Sequence, residues 1–287
     1  MERTFPTRGS GIALVVADMD GTLLTSDKQL TPRTALAVRH LRREGIHFGV
    51  ATNRPPFGMR PFLEALEITT PLICCGGAVL ARPDTLEVIE QRCLPEGLVL
   101  RLLEVGERFE LDPRLFRYDS WFVPSLRDYG VGREIRGLGE PPIVVPDVRH
   151  VANQLISKLT LAGPMDAIHE AQQHLQETFG NRLRVVRSES GTLDLLHPAA
   201  DKGVEVARLA RTLNLPLSRV AVIGDAEGDI SMLRIAGLAI AMANAPVTVR
   251  REAHRTAPSN AADGVAAALN AWILPVEPLH LEHPAAN

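Results

Sequence analysis

Short apolar runs that stop at a polar residue or a glycine recur along this chain. Residues 12–17 form an unbroken apolar run rich in β-branched side chains, which predicts a strand buried on both faces, and the run ends at Asp18. Residues 47–51 and 71–75 repeat the theme, stopping at Thr52-Asn53-Arg54 and at Gly76-Gly77. Between the first two runs, residues 32–43 predict a helix, with Thr31 as its N-cap, Pro32 in its first position and Gly45 to end it. Strand, helix and strand in this alternation predict a parallel sheet. Ligands of such sheets bind outside the carboxyl ends of the strands.

The same style returns late in the chain. A helix over residues 202–213 leads to a strand over 220–223 that ends at Gly224-Asp225. A helix over 230–235, an apolar strand over 238–242 and a last helix over 261–272 follow, and the tail from Pro275 onward is expected to be loosely held. Residues 83–189 read differently. They predict a helix over 98–109, a strand-like segment over 115–123, a Gly/Pro-rich connection over 137–142, a strand over 155–162 and a helix over 164–179. Residues 183–186 and 192–196 read as a strand pair joined through Ser188 to Gly191. So long and ordered a segment is an inserted α/β domain rather than a loop. The expected organisation is therefore an α/β protein, with a discontinuous parallel-sheet core over residues 1–82 and 190–287 and an insertion over 83–189.

Composition changes this picture little. A formal net charge of -3, with arginines spread along the chain, gives no reason to expect nucleic acid or an anionic membrane as partner. No apolar run approaches the roughly 18 residues of a membrane span, and residues 1–11 lack the apolar stretch of a secretion signal. Cys74, Cys75 and Cys93 have no metal-ligand spacing and read as reduced thiols. A cytoplasmic location is the expectation.

Candidate chemistry falls in four separated segments, each at or beside a predicted strand end. The first is Asp18-Met19-Asp20-Gly21-Thr22-Leu23-Leu24. Two carboxylates placed so can divide the work of phosphoryl transfer. One attacks phosphorus, while the other protonates the leaving oxygen and later activates water. Gly21 permits the tight turn that returns the second carboxylate over the site. The second segment is Thr52, whose hydroxyl and backbone N–H can bind a phosphoryl oxygen, with Asn53 beside it as a further phosphate contact. Lys202, third, is a cation that offsets charge on nucleophile and phosphate. Fourth are Asp225 and Asp229, oxygen donors suited to a hard cation such as Mg2+. A transferring phosphoryl group spreads its charge over three oxygens, so positioned cations and N–H donors supply most of the help. Taken singly, the first and fourth segments read equally well as turns, while Thr52 reads more readily as a loop residue and Lys202 as a solvated helix residue. Their order and common placement at sheet ends argue for one site.

In this order the segments resemble the motifs of the haloacid dehalogenase superfamily, specifically the Cof-type phosphatases, whose large cap lies between the second and third motifs. Asp18 to Leu24 matches the first motif, Ala51-Thr52-Asn53-Arg54 the second, Ala200-Asp201-Lys202-Gly203 the third, and Gly224 through Asp229 the fourth. Residues 239–245, Ser259-Asn260 and Asp263-Gly264-Val265 resemble the C-terminal signature. The resemblance implies a Rossmann-like core with an α/β cap, a transiently phosphorylated Asp18, and Asp20 as general acid/base. It implies Mg2+ bound by the Asp18 carboxylate, the Asp20 backbone carbonyl and Asp225, with Asp229 as a ligand or as the group orienting a metal-bound water. Three positions depart from the family pattern: Asn53 stands for glycine, Gly228 for asparagine, and Gly76 for the asparagine of an Asn-Gly-Ala. None removes a charged catalytic group.

The leading expectation is Mg-dependent hydrolysis of a small phosphorylated metabolite, such as a sugar phosphate. A phosphomutase or phosphotransferase of the same superfamily is the alternative, as is a non-catalytic binding protein that keeps the fold. Retention of Asp18, Asp20, Lys202 and Asp225 argues against the last. Within the cap, Tyr118, Asp119, Trp121, Arg127, Arg133 and Arg136 are candidate substrate contacts. The aromatics read more readily as cap core, and the arginines at least as readily as solvated surface.

Overall fold

A computed structural model describes residues 11–187 and 191–274. In chain order its strands are β1 (Leu14–Ala17), β2 (His47–Val50), β3 (Leu72–Cys74), β4 (Val79–Ala81), β5 (Val88–Gln91), β6 (Asp112–Phe116), β7 (Trp121–Val123), β8 (Ile143–Val144), β9 (Lys158–Ala162), β10 (Arg184–Arg187), β11 (Thr192–Leu196), β12 (Val220–Gly224), β13 (Leu238–Met242) and β14 (Arg255–Ala257).

Five of them form a fully parallel sheet in the order β14-β13-β12-β1-β2. The unbroken apolar run of β1 has its reason in the packing. Val15 and Ala17 join the core beneath the helices Pro32–Arg43 and Gly264–Trp272, while Leu14 and Val16 join the core beneath Lys202–Thr212 and Ile230–Ile235. A strand covered on both faces has no polar side to alternate with. Register then sets the site. Ala17 lies level with Ile223 of β12 on one side and Val50 of β2 on the other. The chain therefore leaves the sheet at Asp18, Gly224-Asp225 and Ala51-Thr52 along a single edge.

A second sheet, in the order β10-β11-β9-β6-β7-β8, has two chemically distinct faces. Leu159, Leu161, Leu193 and Leu195 pack with Val99, Leu102 and Leu103 of the helix Glu96–Arg108 and with Ile168, Ala171 and Leu175 of the helix Met165–Phe179. Alternation along β9 and β11 sends Lys158, Thr160, Thr192 and Asp194 to the opposite face. A third, small antiparallel sheet has the order β3-β4-β5.

Several elements differ from the sequence reading. Residues 115–123 are not one strand but the hairpin of β6 and β7, closed by the Arg117 N–H donating to the Ser120 carbonyl. The connection at 137–142 begins inside a helix, Val131–Leu138, bounded by Gly130 and Gly139 in left-handed conformation (φ 71° and 76°). Gly132 and Gly137 lower its intrinsic propensity and hide it. The expected boundary at 82/83 falls in the hairpin loop between β4 and β5, and that at 189/190 falls between the paired strands β10 and β11. Arg82-Pro83-Asp84 marks a turn at the first place, and a turn inside one sheet looks like a turn between two. The tail from Pro275 onward and Ser188–Ser190 lie outside the described residues.

Lys202 is held in place by close backbone packing. Asp201 caps its helix by accepting from the Val204 N–H at 2.9 Å, and a Cβ at Gly203 would stand 2.4 Å from the Ser231 carbonyl oxygen. Gly203→Ala is expected to cost about 1–3 kcal/mol, the usual cost of overpacking a tight contact. A chemical denaturation midpoint equal to that of the parent would refute this contact.

Candidate active site

Asp18 sits at the C-terminal end of β1, 5% exposed, and its Oδ1 accepts from the Lys202 ammonium at 2.8 Å. The same ammonium donates to Asp229 Oδ1 at 2.7 Å. Asp229 Oδ2 accepts the backbone N–H groups of Asp225 and Ala226, each at 3.0 Å. Asp229 thus pins both the lysine and the loop that carries Asp225. Asp225 accepts from the Thr22 hydroxyl at 2.7 Å, and Asn244 Nδ2 bridges the Gly21 carbonyl at 2.9 Å and Asp225 Oδ2 at 3.4 Å. Gly21 is required here. Its φ is +84°, and a Cβ would lie 2.3 Å from Asp225 Oδ2.

Burial without water governs the protonation of this cluster. It raises the Asp18 carboxyl well above the ordinary range, and Asp229 and Asp225 add to the rise while Lys202 opposes it. Asp225 is pushed up to about 7, first by burial and then by the charge of Asp229, against the hydrogen bond from Thr22. Burial of Lys202 favours its neutral form, yet the charges of Asp18 and Asp229 outweigh that and keep it a cation.

Asp20 behaves in the opposite way. Burial favours its neutral form, but the Arg54 guanidinium, donating through Nε at 2.7 Å and Nη2 at 2.8 Å, lowers its pKa to about 2 with help from Lys28 at 2.9 Å. Arg54 also donates through Nη1 to the carbonyls of Gly58 at 3.1 Å and Gly137 at 2.6 Å. One buried guanidinium therefore joins the second carboxylate to the helix Val131–Leu138. The sequence reading quoted Arg54 as part of a motif but gave it no role. Its place directly after Thr52-Asn53, at the edge that carries Asp20, was the available signal.

Thr52 and Asn53 line the same cavity as Asp18, Asp20 and Lys202. The Thr52 backbone N–H is not open to a phosphate oxygen as expected, since it donates to the Ile73 carbonyl at 2.8 Å beside the isolated bridge of Ala51 with Ile73. Its hydroxyl accepts from the Arg54 N–H at 3.2 Å and keeps its own proton to donate. The Asn53 carbonyl accepts from Lys158 at 3.0 Å. Asn53 and Gly76 are neighbours, with Asn53 Oδ1 3.2 Å from where a Gly76 Cβ would stand, so two departures from the family pattern meet at one spot. At the third, a Gly228 Cβ would meet Val186 of β10 at 3.2 Å.

The rest of the cavity wall comes from the polar face of the second sheet and the helix Val131–Leu138: Lys158, Thr160, Thr192, Asp194, Arg133 and Glu134. Of the six cap candidates, Arg133 is in this wall. Trp121 instead stacks on Phe116 with ring centroids 5.6 Å apart and donates to the Glu140 carbonyl, while Asp119 pairs with Arg117. Period-2 alternation in Lys158–Ala162 and Thr192–Leu196 was the signal that would have pointed to the wall.

The donor set fits a hard divalent cation. Asp18, Asp225 and Asp229 offer carboxylate oxygens that all lie within 4.8 Å of one another, and Asp229 already spends both oxygens on Lys202 and the loop. Asp18 and Asp225 are the pair better placed to hold such an ion.

Comparison with known proteins agrees with this chemistry. The profile of the haloacid dehalogenase-like hydrolase family matches residues 15–269. Pyridoxal phosphate phosphatase YbhA of Escherichia coli is 27% identical, over 88% of this chain and 96% of its own. The 5-amino-6-(5-phospho-D-ribitylamino)uracil phosphatase YitU of Bacillus subtilis is 23% identical, over 88% and 94%. A haloacid dehalogenase-like hydrolase from Bacteroides thetaiotaomicron superposes with a TM-score of 0.80 at 25% identity, over 90% of this chain and 98% of its own. A family match of this extent assigns the chain to the haloacid dehalogenase-like hydrolases, among which it is a Cof-type phosphatase, an enzyme that hydrolyses phosphoric monoesters.

Proposed function

We propose that the protein hydrolyses a small phosphorylated metabolite, a sugar phosphate or a compound of similar size, through an aspartyl-phosphate on Asp18, with Mg2+ as cofactor. The observation that carries this reading is the Lys202 ammonium 2.8 Å from Asp18 Oδ1 in a cavity shared with Asp20 and Thr52. Relatives named for pyridoxal phosphate and for a phosphoribitylaminouracil support a small substrate.

With Oδ1 held by Lys202, Asp18 presents Oδ2 to phosphorus. An Asp18–phosphorus bond forms as the bond to the leaving oxygen breaks. Asp20, ionised beside Arg54 in the free protein, takes up a proton from water as the negative phosphate arrives beside it and passes that proton to the leaving oxygen. Water then attacks phosphorus, gives its proton to Asp20, and releases Asp18. The Thr52 hydroxyl and Lys202 bind phosphoryl oxygens, and Asn53 borders them. Asp18, the Asp20 backbone carbonyl and Asp225 would hold Mg2+, with Asp229 as support. The ion supplies positive charge opposite the phosphoryl oxygens. Labour divides between a core over residues 1–82 and 190–287, which carries the phosphoryl chemistry, and a cap over 83–189, completed by β11, which meets the leaving group. The thiols, the modest net charge and the lack, among the described residues, of a helix long and apolar enough to span a membrane favour a cytoplasmic enzyme without nucleic-acid or membrane partners.

Three outcomes test the reading. Asp18→Asn is expected to lower kcat for p-nitrophenyl phosphate at least about a thousandfold; retained metal-dependent turnover would sink the covalent mechanism. Arg54→Gln is expected to lower kcat roughly 10- to 100-fold by freeing Asp20, within the range that proton transfer contributes, and a parental rate would detach Arg54 from it. The third concerns metal and pH. Asp225 has a folded pKa of about 7, raised above its ordinary 3.8, so the folded metal-free protein binds more protons than the unfolded chain between these values. Its contribution to stability is present below about pH 4 and is lost as pH rises to about 7. Mg2+ competes with those protons, so its rise in thermal midpoint should be larger at pH 8 than at pH 5.5. An equal or smaller rise at pH 8 contradicts Asp225 as a ligand.

A further inference from the structure

The polar face of β9 and β11 contains a carboxylate that the fold itself leaves half used. Asp194 is 1% exposed; its Oδ1 accepts from the Thr160 hydroxyl at 2.6 Å and lies 3.5 Å from the Lys158 ammonium. Its Oδ2 is buried and, among the described residues, has no hydrogen-bond partner. A buried carboxylate oxygen without a donor is costly, yet this one belongs to the wall of the cavity that holds Asp18. Beside it, the Lys158 ammonium donates to the Asn53 carbonyl and stands 4.4 Å from the Phe116 ring centroid, on the surface where the cap meets the core.

We infer that Asp194 and Lys158 form a specificity subsite that reads a hydroxyl group on the leaving alcohol of the phosphate ester. This rests on the phosphatase reading above and adds the chemistry of the substrate's other end. A hydroxyl donates one proton to Asp194 Oδ2 while its lone pairs accept from Lys158, so a single group meets both partners. A substrate ammonium would satisfy Asp194 but would be repelled by Lys158, and a bare alkyl chain would leave Oδ2 unpaired on burial. A site built to hydrogen-bond a hydroxyl discriminates strongly against the analogue that lacks it.

The test compares matched esters: glycerol 1-phosphate, erythritol 4-phosphate and sorbitol 6-phosphate against propyl, butyl and hexyl phosphate, with p-nitrophenyl phosphate as a reporter of phosphoryl chemistry. The parent protein is expected to favour the polyol ester over its alkyl partner by roughly 10- to 100-fold in kcat/KM at one chain length or more. Asp194→Asn, folded by its thermal midpoint, is expected to lower that ratio toward one. A parent that hydrolyses p-nitrophenyl phosphate but shows no polyol preference overturns the inference alone, and requires no variant to fold. A polyol preference that survives in Asp194→Asn overturns it too. Failure to hydrolyse any ester, p-nitrophenyl phosphate included, overturns the phosphatase reading and the subsite with it.

Discussion

Carboxylates brought together in a dry site repel one another, and each resists ionisation as water is withdrawn. Three meet where β1 and β12 end, and the Lys202 ammonium is the charge that makes the arrangement tolerable. Much of the architecture serves that one side chain. Asp201 caps its helix, Gly203 lets the helix approach the Ser231 carbonyl, and Asp229 holds the lysine while anchoring the loop that carries Asp225. Sheet register then brings Asp18 level with both neighbouring strand ends.

Around this centre two carboxylates are driven to opposite protonation. Asp225, crowded by burial and by Asp229, is pushed up to about 7, whereas Asp20, gripped by Arg54, falls to about 2. Without a cation, Asp225 thus keeps a proton below about pH 7, while Asp20 stays ionised beside its guanidinium partner. Arg54 further binds Gly137, so the surroundings of Asp20 include the cap as well as the core.

The parallel core was largely legible in the chain, because strands buried on both faces read as unbroken apolar runs and their helices carry strong caps. Thr31 and Pro32 marked a helix start that the structure reproduces at Pro32–Arg43. The three-residue strand Arg255–Ala257 was not legible, being too short for any period to show. The helix Val131–Leu138 was hidden by its own glycines. Of the site, the residues at the strand ends were legible because order and placement reinforced one another. Lys158 and Asp194 showed only a polar face through the alternation of their strands, and that this face shares a cavity with Asp18 follows from tertiary structure. Trp121, one of the cap candidates but read more readily as core, stacks on Phe116 and donates to the Glu140 carbonyl.

The two faces of the second sheet divide obligations that most proteins must satisfy with the same residues. Leucines at 159, 161, 193 and 195 keep the cap folded, and the intervening positions face the substrate cavity. A lineage can therefore revise what the enzyme accepts without reopening its hydrophobic packing. The revision has a rule, however. Because a lone buried charge is costlier than a pair, exchanging Lys158 and Asp194 together costs less than exchanging either alone. New substrate preferences in descendants of this fold would then arise more readily through paired than through single steps.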